Sequence, residues 1–251
     1  MSTTRMTISI KNLKEIADLL NTVVNEAKFK LDANGLSVKA VDPAHVAMIS
    51  IDVPKEVFLD FQVDGEEEIS MDIEKLKSII KLASSNDTVT MIREKEKLKF
   101  EINNIIKSVS LLDNNTVFTP RVPQISSESY VVVAKPELEK GLKAAEDVSD
   151  SIRFMLSPDD FRARSISDSE ESELILTKEL LKEIKCSNPV KSSYPLEYLL
   201  KLIKSLSSSD DLKLGFKDDY PLTIEFKFGI PRSGDATIIS GSFLLAPRME
   251  Q

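Results

Sequence analysis

A chain of 251 residues, 41% of them hydrophobic, has enough apolar material for one large domain or two of ordinary size. The chain holds one histidine and one cysteine, which excludes an intramolecular disulfide and a zinc site built from cysteine and histidine. The phosphate-binding patterns Gly-x-x-x-x-Gly-Lys and Gly-x-Gly-x-x-Gly do not occur. No apolar run approaches the length of a bilayer-spanning helix, and residues 1–5 are too polar for a secretory signal. The composition therefore predicts an intracellular protein in a reducing compartment, without a membrane span, a metal or a cofactor.

The first half of the chain reads as strand, helix, several strands, helix, several strands. Alternation over 6–10 predicts a strand, and apolar residues at helical spacing over 13–23 predict a helix with Asn12 as its N-cap. Asn34 and Gly35 predict a tight turn between two strands. A second helix is predicted over 70–84, with Lys77 and Lys81 together on one face. The remaining strands are predicted at 46–53, 57–63, 87–92, 98–102 and 106–111.

The same order of elements returns in the second half. A strand over 130–134 precedes a helix whose first turn contains Pro136. A hairpin over 152–163 follows, and Leu174 and Leu176 lie in the next strand. Pro195 opens the last helix. Strands are predicted at 212–216, 222–228 and 237–245.

The two halves also match residue by residue. Residues 13–41 overlay residues 138–166 with a constant offset of 125, and the second helix overlays the last one with an offset of 123. Residues 120–130, with two prolines and three serines, predict an extended connector. We therefore expect an α+β fold of two similar domains, at 1–118 and 130–251, joined by a connector at 119–129.

Open antiparallel sheets have edges that must be paired or guarded. The expected edges lie at 106–112 and 172–177, one in each half, which allows head-to-tail pairing of subunits into a ring. The residues assigned to this subunit interface are Ser108, Val109, Ser110, Leu111, Glu173, Leu174, Ile175 and Leu176.

Four short stretches carry a resemblance to a known family. They are, in chain order, Val41-Asp42-Pro43-Ala44-His45-Val46, Ser192-Ser193-Tyr194-Pro195-Leu196-Glu197-Tyr198-Leu199, Asp219-Tyr220-Pro221-Leu222 and Leu244-Leu245-Ala246-Pro247-Arg248. Together with the duplication and the central connector, they resemble the proliferating cell nuclear antigen family, the archaeal and eukaryotic sliding clamps.

The resemblance implies the DNA-clamp fold, in which two helices per domain pack on antiparallel sheets, and a trimeric ring around duplex DNA. It implies no catalytic activity. In the predicted helices Tyr198 is the only aromatic residue, which argues against base stacking and against sequence-specific reading of DNA. The resemblance implies that the ring tethers DNA polymerase to the template. It also implies that polymerase, the clamp loader, a flap endonuclease and a ligase bind the ring through short peptides. The location would be the cytoplasm or nucleoid of an archaeon, or the nucleus of a eukaryote.

The charges of the predicted helices are compatible with facing DNA. The predicted helices hold ten lysines and eight acidic residues, a net charge of +2; they lie at 11–24, 72–83, 135–146 and 195–206. Because the net charge of the whole chain is −8, the residues outside these helices carry a net charge of −10. Ordinary solvated helix faces would fit this small excess nearly as well. The lysines assigned to the DNA-facing surface are Lys11, Lys14, Lys77, Lys81, Lys140, Lys143, Lys201 and Lys204.

The resemblance also implies a pocket for client peptides beneath the connector. Its members are mostly apolar and come from distant parts of the chain, which suits a short helical anchor. They are Val41, His45, Val46, Met48, Val122, Tyr130, Pro221, Leu244, Leu245, Ala246 and Pro247.

Other readings stay open at this point. The chain could be a checkpoint-type clamp subunit, or one member of a ring of non-identical chains. A hydrolase built on a pair of Asp or Glu carboxylates would need two perturbed carboxyl groups in one cleft. A monomeric interaction module predicts unpaired sheet edges and no trimer.

Overall fold

The computed structural model describes residues 4–123, 125, 127–229 and 238–248. The chain divides into two compact units, Met1–Val122 with Phe228–Gly241, and Pro123–Lys227 with Ser242–Gln251. The boundary between Val122 and Pro123 falls inside the predicted connector. The units differ from the predicted domains at residues 228–241, which are counted with unit 1 although they were predicted to belong to the second domain.

Unit 1 contains two helices and two sets of antiparallel strands within the described residues. Five strands follow the order β5-β1-β7-β8-β9, and four strands follow the order β4-β3-β2-β6. A short 3-10 helix follows β4 at Lys55–Val57. The elements are β1 (Arg5–Ser9), α1 (Ile10–Asn21), β2 (Glu26–Asp32), β3 (Gly35–Val41), β4 (Ala47–Pro54), β5 (Asp60–Gln62), β6 (Glu67–Asp72), α2 (Ile73–Ile80), β7 (Thr88–Glu94), β8 (Lys97–Ile102) and β9 (Ile105–Ser110).

Unit 2 repeats this plan. Strands follow the orders β14-β10-β16-β17 and β13-β12-β11-β15, and a 3-10 helix follows β13 at Lys178–Leu180. The last strand, β18 (Ile239–Leu245), has residues in both units, and residue 237 of its predicted range lies outside the described residues. The other elements are β10 (Tyr130–Ala134), α3 (Lys135–Ala145), β11 (Ser151–Leu156), β12 (Asp160–Ile166), β13 (Glu171–Thr177), β14 (Glu183–Lys185), β15 (Val190–Pro195), α4 (Leu196–Ser205), β16 (Asp211–Gly215) and β17 (Leu222–Phe228).

The predicted duplication is confirmed at the level of elements. Strands β1 and β10, and likewise β3 and β12, have bounds that differ by the offset of 125. The first residues of helices α2 and α4 differ by the offset of 123. The same offset of 123 separates the two 3-10 helices, and it separates strands β5 and β14. The shared apolar pattern therefore reflects one supersecondary plan used twice.

Each helix buries one stripe, and a side-chain cap is present at the start of α1 and of α2. Asp72 caps α2 through a hydrogen bond from Lys75 N to its carboxylate, and Pro136 occupies the first turn of α3 as expected. The prediction that Asn12 caps α1 is wrong. Ser9 is the cap, its Oγ accepts from Asn12 N at 3.3 Å, and Asn12 lies inside the helix with 4% of its surface exposed. No helix in the described ranges is long and apolar enough to cross a membrane.

The structure also corrects two predicted elements and adds two strands that were not predicted. The helix predicted over 70–84 is shorter, because residues up to Asp72 belong to β6. The strand predicted over 57–63 is reduced to β5, since Lys55–Val57 forms a 3-10 helix. Strands β14 and β15 had no sequence prediction. A three-residue strand and a strand rich in serine give no clear alternation of apolar and polar residues.

Candidate functional site

The four helices carry the lysines that were assigned to a DNA-facing surface. Helices α1 and α2 pack on each other in unit 1, and α3 and α4 do so in unit 2. The buried stripe of each helix is mainly apolar, so most of these lysines are left on the exposed faces. The first turns of α2, α3 and α4 each hold a glutamate, which complements the positive end of the helix dipole.

Most of these lysines lie in ion pairs along their own helix. Lys14 pairs with Asp18 at 2.6 Å, Lys140 with Glu137 at 2.7 Å and Lys143 with Glu139 at 2.7 Å. Hydrogen bonding from Lys143 lowers the pKa of Glu139. Lys201 pairs with Glu197 in the same manner. Lys11, Lys81 and Lys204 are exposed and have no ion pair with any described residue.

Lys77 differs from the other lysines because it joins the two helices of unit 1. Its Nζ donates to Asn21 Oδ1 at 2.7 Å and lies 3.4 Å from Asp18 Oδ1, and 25% of its side chain is exposed. Lys81 caps the end of α2 and is exposed. The expectation that Lys77 and Lys81 act as one surface pair therefore needs correction, because Lys77 is engaged with α1.

Strand β9 presents an open backbone edge. It is the terminal strand of its sheet, and all of its residues are exposed except half-buried Val109. Leu111 N donates to Glu96 O at 2.9 Å, which fixes the alternation of the β8–β9 ladder. The N–H and C=O groups of Ile106, Ser108 and Ser110 then point away from β8.

Strand β13 presents the matching edge in unit 2. It is the terminal strand of its sheet and pairs with β12. Lys178 N donates to Asp159 O at 2.9 Å, and these two residues directly follow the last β12–β13 pair, Asp160 and Thr177. By the same alternation, the backbone groups of Glu171, Glu173, Ile175 and Thr177 point away from β12. None of these groups has a hydrogen bond to another described residue. Both predicted edges are therefore terminal strands with open backbones.

The terminal strands β6 and β15 are covered instead. Ser70 O in β6 accepts from Leu112 N at 2.8 Å, and Ser193 O in β15 accepts from Arg248 N at 2.7 Å. Lys191 O in β15 also accepts from Asp219 N at 3.3 Å. The chain thus satisfies the outward carbonyls of these two edges itself and leaves those of β9 and β13 open.

Two side chains assigned to the interface face the helices instead. Leu176 is 3% exposed, and Leu174 packs against Gly141 of α3. Only 2.6 Å separates Leu174 Cδ2 from the position that a Cβ at Gly141 would take. The side chains of Glu173 and Ile175 alternate with these leucines, so they lie on the opposite face. The assignment of the Leu174 and Leu176 side chains to a subunit contact is therefore corrected.

A buried carboxylate organises the loop between β3 and β4. Asp42 is 5% exposed, and its carboxylate accepts from the N–H groups of Val46 and Ala47 at 2.7 Å and of Ala44 at 3.2 Å. His45 adopts φ 56° and is exposed, while Val41, Val46 and Met48 are half-buried. The sequence-based site omitted Asp42, although an Asp-Pro pair before a strand is a signal for this kind of turn.

The C-terminal segment is fixed within unit 2. Leu244, Ala246 and Pro247 are half-buried, whereas Leu245 is fully buried in the core. The expectation that the Leu245 side chain contacts a client is corrected, because alternation along β18 turns it inward. Arg248 holds the end of the segment through its bond to Ser193 O and an ion pair with Asp150 at 2.7 Å.

The segment around Pro221 depends on a buried tyrosine that the sequence-based site did not include. Tyr194 is fully buried, and its hydroxyl donates to Tyr220 O at 2.8 Å. Burial raises the pKa of this hydroxyl well above its usual value. The Tyr194 ring also packs in an aromatic cluster, tilted against Phe154 and edge-on to Phe216. Half-buried Pro221 follows Tyr220 directly.

The two remaining pocket candidates fall in different units. Val122 is half-buried at the end of unit 1. In unit 2, the Tyr130 hydroxyl donates to Glu183 at 2.5 Å, which raises the pKa of that hydroxyl, and Lys213 lies 4.8 Å from its ring centroid. In the described residues, no group of three His, Cys, Asp or Glu side chains is placed to hold a metal ion.

Comparison with known proteins shows which family has this sequence and fold. Residues 6–115 match the family model described as the proliferating cell nuclear antigen N-terminal domain. The DNA polymerase sliding clamps of Picrophilus torridus and Thermoplasma volcanium are 62% and 60% identical, and each alignment covers 98% of this chain and 99% of the relative. Among solved structures, A. fulgidus PCNA bound to the C-terminal region of FEN-1 is 26% identical with a TM-score of 0.91, and the match covers 99% of both chains. PCNA from Thermococcus kodakaraensis is 26% identical with a TM-score of 0.87, and the match covers 98% of this chain and 100% of that one. The chain therefore belongs to the proliferating cell nuclear antigen family of DNA polymerase sliding clamps.

Proposed function

We propose that the protein is one subunit of a ring of three identical chains that encircles duplex DNA and tethers DNA polymerase to it. The observation that carries this proposal is the pair of open strand edges, one in each unit, in a chain that belongs to this family. The protein works as a binding platform without a catalytic step of its own. As its archaeal relatives suggest, it acts where the chromosome lies, in the cytoplasm or nucleoid.

Pairing of β9 in one subunit with β13 in the next supports closure of the ring. Each strand offers outward backbone groups at alternate residues, which is what an additional strand of a sheet requires. The exposed side chains of Ile106 and Ile175 are 69% and 44% accessible, so they provide apolar area to bury at the contact. A head-to-tail contact of this kind uses different surfaces of the same chain and closes under cyclic symmetry.

The helix lysines support loose contact with the DNA backbone. An exposed lysine–carboxylate pair is worth about 0–1 kcal/mol, so a lysine can exchange its carboxylate partner for a DNA phosphate at small cost. The interleaved glutamates and aspartates lower the net positive charge of the helices. Such a surface attracts the phosphate backbone without binding it tightly, which permits sliding.

Client proteins are proposed to contact the Asp42 loop and the C-terminal segment through short peptides. Both segments expose half-buried apolar side chains that are fixed by neighbouring hydrogen bonds, so a client would order little of the clamp on binding. The related A. fulgidus clamp has been crystallised with the C-terminal region of FEN-1. By analogy, clients here include a polymerase, the clamp loader, a flap endonuclease and a ligase.

Light scattering and a primer-extension assay test the proposal together. We expect a mass of about three times the 28.0 kDa of one chain, and longer extension products per binding event on a primed DNA circle. Ile175→Pro removes an outward N–H without removing a hydrogen bond to β12, so we expect loss of the trimer and of processivity with the fold retained. The control, Ile175→Val, keeps the N–H and should stay trimeric. A trimeric Ile175→Pro variant would contradict the assignment of β13 to the contact.

A further inference from the structure

The core of unit 1 contains an apolar cavity between its helices and its strands. The wall is formed by Leu13 of α1, Leu76 of α2 and apolar side chains of β1, β2, β3, β6, β7 and β8. Apart from half-buried Leu36, the lining side chains are at most 6% exposed. Within the described residues, every side chain of the wall is apolar. The cavity therefore lies inside the core, and Leu36 is its most exposed lining residue.

The internal repeat shows which side chains leave this space open. Strands β3 and β12 match with the offset of 125, and β6 and β15 match with the offset of 123. Leu36 is therefore the counterpart of Phe161, and Met71 is the counterpart of Tyr194. Both aromatic residues are fully buried in unit 2. At the same two positions, unit 1 has side chains without a ring.

The two rings of unit 2 pack on a third ring. Their centroids lie 5.2 Å and 5.6 Å from the centroid of Phe154. Phe29 is the counterpart of Phe154 in unit 1, and it lines the cavity. Beside Phe29, the wall holds Leu36 and Met71 in place of two rings. The cavity is thus located where unit 1 keeps one ring of a cluster of three.

The size and chemistry of the cavity determine what it can hold. Its volume is about 30 Å³, and roughly 10–15 Å³ is enough to admit one molecule of the size of water. A buried water needs about two to four polar partners, and the described wall offers none. Apolar cavities of about 150 Å³ stay dry and bind benzene or xenon. A guest of the unit 1 cavity must therefore be apolar and smaller than benzene.

The wall can adjust to such a guest. Met6, Met71 and Met91 are all part of it. Methionine is unbranched and has three rotatable bonds and a polarizable sulfur, so it fits irregular spaces and makes favourable dispersion contacts. The atoms around an empty cavity lack contact partners on one side, and an apolar guest supplies them without removing any polar group from water.

We propose that the unit 1 cavity is a binding site for one small apolar molecule, with a xenon atom as its probe. The site is enclosed by the core of unit 1. It is separate from the helix lysines, from the open edges of β9 and β13 and from the segments proposed to contact clients. Its occupation therefore requires neither DNA nor a partner protein.

Xenon binding to the full-length protein tests the proposal. Wild-type crystals are exposed to xenon gas, and methionine methyl signals are followed by NMR in solution as the xenon pressure rises. Helium at the same pressures is the reference for pressure alone. We expect a xenon peak inside the unit 1 cavity, and saturable shifts of the methyl signals of Met6, Met71 and Met91 with xenon but not with helium.

Leu36→Phe introduces the side chain that unit 2 has at the counterpart position. The ring should pack on Phe29 and occupy the cavity, so we expect loss of the xenon peak and of the saturable shifts. Leu82→Phe is the matched control, because it makes the same change at a side chain that is 45% exposed and is not part of the wall. This control should bind xenon like the wild type.

The proposal is overturned if wild-type crystals show no xenon in the unit 1 cavity. It is also overturned if a folded Leu36→Phe variant keeps the wild-type shifts, or if Leu82→Phe loses them. Circular dichroism confirms that each variant is folded. The wild-type crystal decides by itself, so the test does not depend on the folding of any variant.

Discussion

Helix α3 approaches the open edge strand β13 closely at Gly141, and Gly141→Ala tests that contact. A Cβ at Gly141 would lie 2.6 Å from Leu174 Cδ2 and 2.8 Å from Leu174 Cβ. Carbon atoms without a bond between them prefer about 3.5–4.0 Å. A rotation of Leu174 could move Cδ2, but Cβ is attached to the backbone of β13. The strand and the helix must therefore separate by roughly 0.7 Å or more, given that preferred distance.

Two effects of opposite sign decide the magnitude. Alanine is favoured over glycine inside a helix by about 1 kcal/mol. Overpacking a well-filled contact typically costs about 1–3 kcal/mol. Because the clash involves an atom fixed to the strand backbone, we expect the cost to exceed the gain by roughly 1 kcal/mol. For a chain of this size, that corresponds to a fall in Tm of about 2–4 °C.

The assay compares thermal unfolding with subunit dissociation. Displacing β13 changes the edge that is proposed to pair with the next subunit, so the trimer should dissociate at higher protein concentration than the wild type. Ala144→Gly, at an exposed position of the same helix, measures the propensity effect alone and should leave assembly unchanged. In the Gly141→Ala background, Leu174→Ala should couple favourably, since it removes the nearest clashing atom. A more stable Gly141→Ala variant with wild-type assembly would refute the reasoning.

Four further outcomes are expected. Asp42→Ala should lower the free energy of unfolding by roughly 2–4 kcal/mol in urea titrations, because three N–H groups, of which that of Ala47 is buried, lose a charged acceptor. Asp42→Asn, which can still accept two of the bonds, should lose less, and equal losses would contradict the role of the carboxylate. Tyr194→Phe should lower the free energy of unfolding by about 1–2 kcal/mol in urea titrations, because Tyr220 O loses its buried donor. An unchanged unfolding midpoint would show that this hydrogen bond does not stabilise the fold. Arg162 and Ser157 lower the pKa of Asp160, so its ionised form stabilises the fold above pH about 4 and this contribution is lost as pH falls through the lowered pKa. Asp160→Asn should therefore be less stable than the wild type at pH 7 and equal to it in strong acid, and a difference that persists in acid would point to packing instead. The double variant Lys11→Gln/Lys81→Gln should bind DNA with a weaker salt dependence, the slope of log K against log salt falling in magnitude by up to about 2. The control Lys39→Gln, in β3 on the sheet face that points away from the helices, should keep the wild-type slope. Equal slopes for the double variant and the wild type would show that α1 and α2 do not contact DNA.

The sequence contains strong local information about the elements. The apolar period of Leu13, Ile16 and Leu20 specifies α1, and the alternation at Leu36, Val38 and Ala40 specifies β3. The prediction failed where two periods overlap. Ile69 and Met71 belong to a strand, and Ile73 and Leu76 continue the apolar pattern as a helix. Only hydrogen bonding across β2 and β6 determines where one element ends and the next begins.

The candidate sites show the same limit. The four family-like stretches located the Asp42 loop and the C-terminal segment, but they did not distinguish half-buried Leu244 from fully buried Leu245. Lys77 was assigned to DNA because its helix face is polar, and its partners Asp18 and Asn21 lie more than fifty residues earlier in the chain. Contacts of this range depend on how helices pack, which a local pattern does not encode.

The sequence by itself determined the duplicated order of helices and strands, because period and offset are properties of the chain alone. It also identified β9 and β13 as candidate edges. Only the tertiary structure decided that these edges are open while β6 and β15 are covered, and that Leu36 and Met71 line one cavity. The physical reason is that alternation specifies the face on which a side chain lies, whereas the neighbouring strand is chosen by hydrogen bonds between residues far apart in the chain.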